Sequence, residues 1–250
     1  MQIRMQAACL TIFALSTFAL SAQCGGIESG TPGKPFQAEF HCRDVQTLLD
    51  GTQIVEERSG VEARDTRGRA YMEQPVGPNS PVSVFVSDSV QGTTIAWFIA
   101  PKAGKDGQEL STSVLVHKTA KLWHFPPAAT QPTTADQAKA DVLAAMCPPQ
   151  QRDELTCEDL GTRTISGLVA YGTRERRTVP VGEYGNDRSF VISYERWYSP
   201  EMKLLLSVTT NDPRTGEHTM VLENIDRTEP PASLFEVPEG YTVVEQPRDE

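Results

Sequence analysis

The stretch KLLLSVTTNDPRTGEHTMVLENI, residues 203–225, decides the fold class. Residues 203–209 and 218–225 are rich in β-branched and apolar side chains. They flank Asn211-Asp212-Pro213-Arg214-Thr215-Gly216, which supplies proline and glycine where a tight connection needs special backbone angles. This is an antiparallel hairpin, and the same pattern recurs upstream.

Phe36, Ala38, Phe40 and Cys42 alternate with Gln37, Glu39 and His41, the period of a half-buried strand. The turn Asp50-Gly51 leads into a strand over 52–55, and a second turn at 65–68 leads into 69–74. Val82, Val84 and Val86 alternate again. Gln91-Gly92 then turns the chain into 93–99, where Ile95, Trp97 and Ile99 share a face. Further strands are expected over 112–116, 121–125, 162–165, 168–174, 178–181 and 189–198, with Pro126-Pro127 stopping the second of these. One helix is expected over 134–146. Thr134 and Gln137 fit a capping box, Ala138, Val142, Ala145 and Met146 recur at helical spacing, and Cys147-Pro148 ends it. A short helical turn is expected over 230–235. The sum is a mainly β protein, a curved antiparallel sheet or half-barrel of ten to twelve strands holding one main helix. No βαβ alternation occurs, which argues against a parallel nucleotide-binding sheet.

Residues 1–22 read as an export signal: Arg4 supplies the positive start, 7–20 the apolar run, and Ser21-Ala22 the cleavage zone. Residues 23–35 form a Gly/Ser/Pro-rich lead-in, and 36–245 a single β-rich domain. The expected location is the periplasm or the exterior. A lipid anchor at Cys24 is disfavoured, because Ser21-Ala22-Gln23 lacks leucine at −3 and a small residue at −1. The chain carries 23 Lys and Arg against 33 Asp and Glu, a net charge of −10. An acidic surface of that size repels phosphate backbones and anionic bilayers, so nucleic acid is not an expected partner. No apolar run after the leader is long enough to span a membrane.

Outside the leader's Cys9, four cysteines remain, an even number suited to an oxidising compartment. Of the three possible pairings, Cys147 with Cys157 closes a short local loop and leaves Cys24 with Cys42. No CxxC occurs, and His41, His117, His124 and His218 do not fall at metal-ligand spacing, so neither a metal nor a cofactor is expected. GxSxG, HExxH, GxxxxGK[ST] and GxGxxG are all missing, which points away from an enzyme. Glu56-Glu57 and Glu158-Asp159 are adjacent on strands and point to opposite faces, the pattern of solvated surface. Arg174 and Arg176 share a face. They would clamp a carboxylate or phosphate, or make cross-strand ion pairs, and the acidic composition favours the pairs.

Trp97, Trp123 and Trp197 lie on three separate expected strands. On one concave face they would line a cavity for an apolar ligand; otherwise they are core. The segments GTRTISG, GTRERRTVPVGEYGNDR, ERWYSPEMKLLLSVTTNDPRTGE and NIDRTEPPASLFEVPEGYTV, with DGTQIVEERSGVEARDTRGR upstream, resemble a group of exported acidobacterial proteins without assigned activity. The exported meander and the ending Leu234 to Pro238 more loosely resemble the lipoprotein-carrier superfamily of LolA-like carriers and RseB-like sensors. That resemblance implies a curved half-barrel that takes an acyl chain or another apolar small molecule. The alternative is an envelope interaction or sensor module that binds a polypeptide through a sheet edge; a third reading, a hydrolase, would require a compact Ser/His/Asp or His/carboxylate cluster assembled from distant residues.

Overall fold

The computed structural model describes residues 34–75, 81–88, 91–99, 113–118 and 154–245, together with 139, 140, 143, 144, 146 and 147. Twelve strands form: β1 (Phe36–Thr47), β2 (Gln53–Arg64), β3 (Ala70–Pro75), β4 (Val82–Asp88), β5 (Thr93–Ile99), β6 (Ser113–Lys118), β7 (Leu155–Ile165), β8 (Leu168–Val179), β9 (Phe190–Ser199), β10 (Leu204–Asp212), β11 (Gly216–Asp226) and β12 (Thr242–Glu245). They make one curved, unclosed sheet in the order β12-β6-β5-β4-β3-β2-β1-β11-β10-β9-β8-β7. Every pairing is antiparallel except β12 with β6, which is parallel. β1 therefore sits between two meanders, one running from β2 to β6 and the other from β11 back to β7.

The expected hairpin over 203–225 forms as β10 and β11, with Asp212 opposite Gly216. The expected segments 168–174 and 178–181 join in one unbroken strand, β8, which ends at Val179. Its Arg-rich middle stays in the ladder because Glu158 and Glu195 on the flanking strands balance the arginines. β2 and β7 also run longer than expected, and β12 lies beyond the last expected strand. Lys139, Ala140, Leu143, Ala144 and Met146 of the expected helix are helical; the rest of it, residues 1–22 and the expected strand over 121–125 lie outside the described residues. The expected turn at the C-terminal end is a 3-10 helix, Ala232–Phe235.

Both faces of the sheet carry core. On β1, Phe36, Ala38, Phe40 and Cys42 are buried, while Glu39, His41 and Arg43 are exposed. The buried set packs with Leu168, Ala170, Trp197, Met202, Leu204, Leu206, Met220 and Leu222. A second cluster, Ala63, Tyr71, Val84, Val86, Trp97 and Phe235, occupies the other face. Consecutive strand residues divide between them: Tyr71 belongs to the second cluster and Met72 packs on the first. The C-terminal segment covers the second face through Leu234, Phe235, Val237 and Tyr241. Phe235 meets the Tyr71 ring edge-on at 6.4 Å and lies under the Arg69 guanidinium at 4.5 Å.

Arg64, at the end of β2, is 1% exposed and donates to the carbonyls of Lys34, Met202 and Lys203. Its guanidinium also lies 5.2 Å from the Phe36 ring centre. One side chain thus satisfies carbonyls from the start of the domain and from the β9–β10 connection, groups that would otherwise lose their hydrogen bonds on burial.

Candidate functional site

Alternation along β7 is interrupted once. Asp159 pairs with Thr173 and Gly161 with Gly172, so Leu160 is an extra residue, a β-bulge. Gly161 takes the positive φ of 83° that the bulge requires, and its N–H donates to Asp159 Oδ1 at 2.7 Å. The bulge turns the later residues over, so Glu158, Arg163 and Ile165 share a face with Arg174, Gly172, Ala170 and Leu168. Cys157, Asp159, Thr162 and Thr164 take the opposite face.

A charged ladder crosses the first face. Arg174 reaches Glu158 at 3.4 Å and Glu195 at 2.7 Å, and Arg176 reaches Glu158 at 3.2 Å. The Glu195 carboxylate accepts from Trp197 Nε1 at 2.7 Å, and the Trp197 ring lies over Gly172 with the Arg163 guanidinium 3.9 Å from its centre. Burial raises the Glu195 carboxyl, but the bonds from Trp197 and Arg174 outweigh it and hold the group below its ordinary range. The bond to Glu195 likewise raises Arg174. The arginines expected to clamp an anion or to pair across strands are paired across strands.

On the opposite face the helical residues are tied to the sheet. Cys147 and Cys157 form a disulfide, and Lys139 pairs with Asp159 at 2.6 Å. That bond and the Gly161 N–H hold the Asp159 carboxyl below its usual range. Arg196 donates to the Met146 carbonyl at 3.4 Å, a cation placed at the C-terminal end of the helical segment. Cys42 is disulfide-bonded as well; Cys24 lies outside the described residues.

Among the described residues β7 is the last strand of the sheet and pairs with β8 alone. Thr156, Glu158, Asp159, Thr162, Arg163 and Thr164 are exposed along it. β12, at the other end, has four residues.

Trp97 and Trp197 lie in separate clusters. Trp97, 3% exposed, packs in the cluster with Tyr71 and Phe235, and Trp197, 7% exposed, packs in the cluster with Phe40 and Leu206. Trp123 lies outside the described residues. The described surface carries open depressions. One, of about 400 Å³, is lined by Arg43, Gln46, Gln53, Asp212 and Arg214; another, of about 550 Å³, by His41, Arg43, Glu57 and Arg58 among others. Both are lined by polar and charged side chains together with a few apolar ones.

Sequence patterning gave no sign of one further group. Asp44 sits between His218, whose Nδ1 is 2.6 Å from Oδ1, and Arg58, whose Nη2 is 2.5 Å from Oδ2. Burial raises the Asp44 carboxyl, and these two partners outweigh it and hold the group low. No hydroxyl or thiol bonds His218 among the described residues; the trio is a hydrogen-bonded network joining β1, β2 and β11. Register could not be read from spacing, so the meeting of residues 44 and 218 was not legible.

No protein-family model matches the chain, and no curated protein matches it in sequence. Solved structures with some likeness include the MucA/MucB complex of Pseudomonas aeruginosa, at 12% identity over 83% of this chain and 56% of that one, with a TM-score of 0.39. A LolA superfamily protein of Nitrosomonas europaea shares 11% identity over 84% of this chain and 93% of that one, with a TM-score of 0.30. LprF of Mycobacterium bovis shares 14% identity over 82% and 89%, with a TM-score of 0.32. The chain spans just over half the length of the MucB-complex chains it matches. At these scores the likenesses bear on neither ligand nor partner. None of them supports the likeness to the acidobacterial group.

Proposed function

We propose that this protein is an exported, non-enzymatic interaction module that captures an extended segment of another envelope polypeptide as an added strand on β7. The observation that carries the reading is the edge itself: eleven residues, Leu155–Ile165, whose strand pairing among the described residues lies on one side only. Such an edge is a template for main-chain pairing, and side chains on its two faces supply selectivity. The filled cores support the same reading. Phe36, Phe40, Leu168, Met202, Leu206 and Leu222 are fully buried against one another, leaving the working surface to the rim. The Cys147–Cys157 disulfide suits an oxidising compartment outside the cytoplasm.

The test is a photo-crosslinking residue placed at Thr162 in the mature protein, in its own envelope, with a control position at Glu39 on β1. A single polypeptide species captured from 162 and not from 39 supports edge addition. Proline at Thr162 and, separately, at Arg163 removes one inward and one outward N–H. The outward variant should keep its thermal midpoint and lose the crosslink, and Arg163→Ala controls for the lost ring contact. Saturable binding of a fluorescent acyl probe by the delipidated protein, with no polypeptide captured at 162, would replace this reading with the apolar-ligand one.

A further inference from the structure

We infer that the β7 edge is self-complementary and that, with no client bound, it pairs antiparallel with the β7 edge of a second copy of this chain. This rests on the edge reading above and names a partner for the same strand.

Three observations lead there. The first is the composition of the edge. Proline and lysine are common shields of long edges, and Leu155–Ile165 contains neither, while six of its residues are exposed. The second is the bulge. Glu158 and Arg163 are five apart and would face opposite ways on a regular strand; the extra Leu160 brings them to one face.

The third is the register that this allows. A two-fold axis perpendicular to the sheet, passing between Leu160 of one copy and Gly161 of the other, sets each Glu158 opposite Arg163 of the second copy. The same axis sets Asp159 opposite Thr162, Cys157 opposite Thr164 and Thr156 opposite Ile165. Every one of these pairs matches in face, none brings like charges together, and the Glu158–Arg163 contact is made twice. Isologous pairing of one patch with itself is the ordinary form of a dimer interface, and opposite charges directly across a strand pair favour it. The carboxylate has capacity for the contact: Arg174 and Arg176 both bind Oε2 of Glu158, and Oε1 takes no hydrogen bond among the described residues. Client capture would then compete with self-pairing, which keeps the edge covered until a better strand arrives.

The experiment is sedimentation of the purified mature protein over a wide concentration range, as wild type, Glu158→Arg, Arg163→Glu and the double charge swap. Circular dichroism on each confirms the fold. The wild type should form a dimer. Each single variant should weaken the dimer by about tenfold, and the double variant should restore it to within a few-fold of wild type. A wild type that stays monomeric throughout overturns the inference, and so does a double variant no tighter than either single one. Arg163→Ala should weaken the dimer less than Arg163→Glu, because it removes an attraction and adds no repulsion. A monomeric protein that still captures a foreign polypeptide at position 162 would sink self-pairing and leave the edge reading standing. A dimer that captures none would do the reverse.

Discussion

The indole of Trp197 lies over Gly172, its directly paired neighbour on β8, so closely that a Cβ at 172 would fall within 2.8 Å of three ring atoms. Phe40 does the same over Gly60, its paired neighbour on β2, where a Cβ would also meet the Glu73 carbonyl oxygen at 2.0 Å. A glycine in mid-strand weakens a ladder, and here an aromatic from the next strand fills the gap it leaves. Gly172→Ala should therefore destabilise the protein by about 1–3 kcal/mol, and Gly60→Ala, which meets backbone, by more. Urea unfolding followed by tryptophan emission measures both. An unchanged midpoint for Gly172→Ala would contradict the packing.

Arg64 gives a second prediction. Arg64→Met fills similar space but leaves the carbonyls of Lys34, Met202 and Lys203 without their donor. The expected loss is about 2–4 kcal/mol, and Arg64→Lys should recover only part of it, because an ammonium cannot reproduce the planar fork. Chemical denaturation of the three proteins at one pH settles the order.

Acid sensitivity should centre on Asp65. Its carboxyl is held below the ordinary value: burial raises it, but hydrogen bonds and charge from Arg69, with Arg67 adding to them, outweigh that. A folded-state value below the unfolded one contributes stability above the unfolded pKa of about 4, and that stability is lost as pH falls through the folded value. Asp65→Asn should lower the thermal midpoint at neutral pH and flatten its decline between about pH 5 and 2. A variant whose decline parallels wild type would show that other carboxylates govern acid unfolding.

The disulfide between Cys147 and Cys157 closes a loop with a sequence separation of 10. Replacing both cysteines by serine should cost about 2–3 kcal/mol in the chain-entropy picture. It should also raise amide exchange in β7 more than in β1, since Cys157 is one of the ties between the helical residues and the edge. Hydrogen-exchange mass spectrometry on the oxidised protein and the double serine variant reads the difference.

Phe235 pins the C-terminal segment. Phe235→Ala should cost about 3–5 kcal/mol and shift the emission of Trp97, which shares its cluster, more than that of Trp197, which lies on the other face. Single-tryptophan versions of the variant separate the two signals.

The sequence revealed strands well where one face is buried and the other wet. Residues 36–42 alternate strictly, and 93–99 matched β5 at both ends, because burial writes its period of two directly into the chain. β2 was legible only at its start, since Glu56, Glu57 and Arg58 are all polar. β8 was read as two pieces because Glu175, Arg176 and Arg177 look like a break. Their partners on β7 and β9 come from elsewhere in the chain, and no local pattern announces them. The candidate site was less legible still. Being an edge is a property of sheet order, and nothing within Leu155–Ile165 says that one side will go unpaired. Gly161 and Gly172 were the available signals, marking a bulge and a close approach.

The central position of β1 has a kinetic consequence. Its first neighbour, β2, follows at once, but its second, β11, is almost the last long strand to be made, with Cys42 set opposite Met220. A chain emerging amino end first would present the two meanders as separate hairpin stacks. The seam that welds them can form only after nearly the whole polypeptide has emerged, which makes that closure the slow, non-local step of folding.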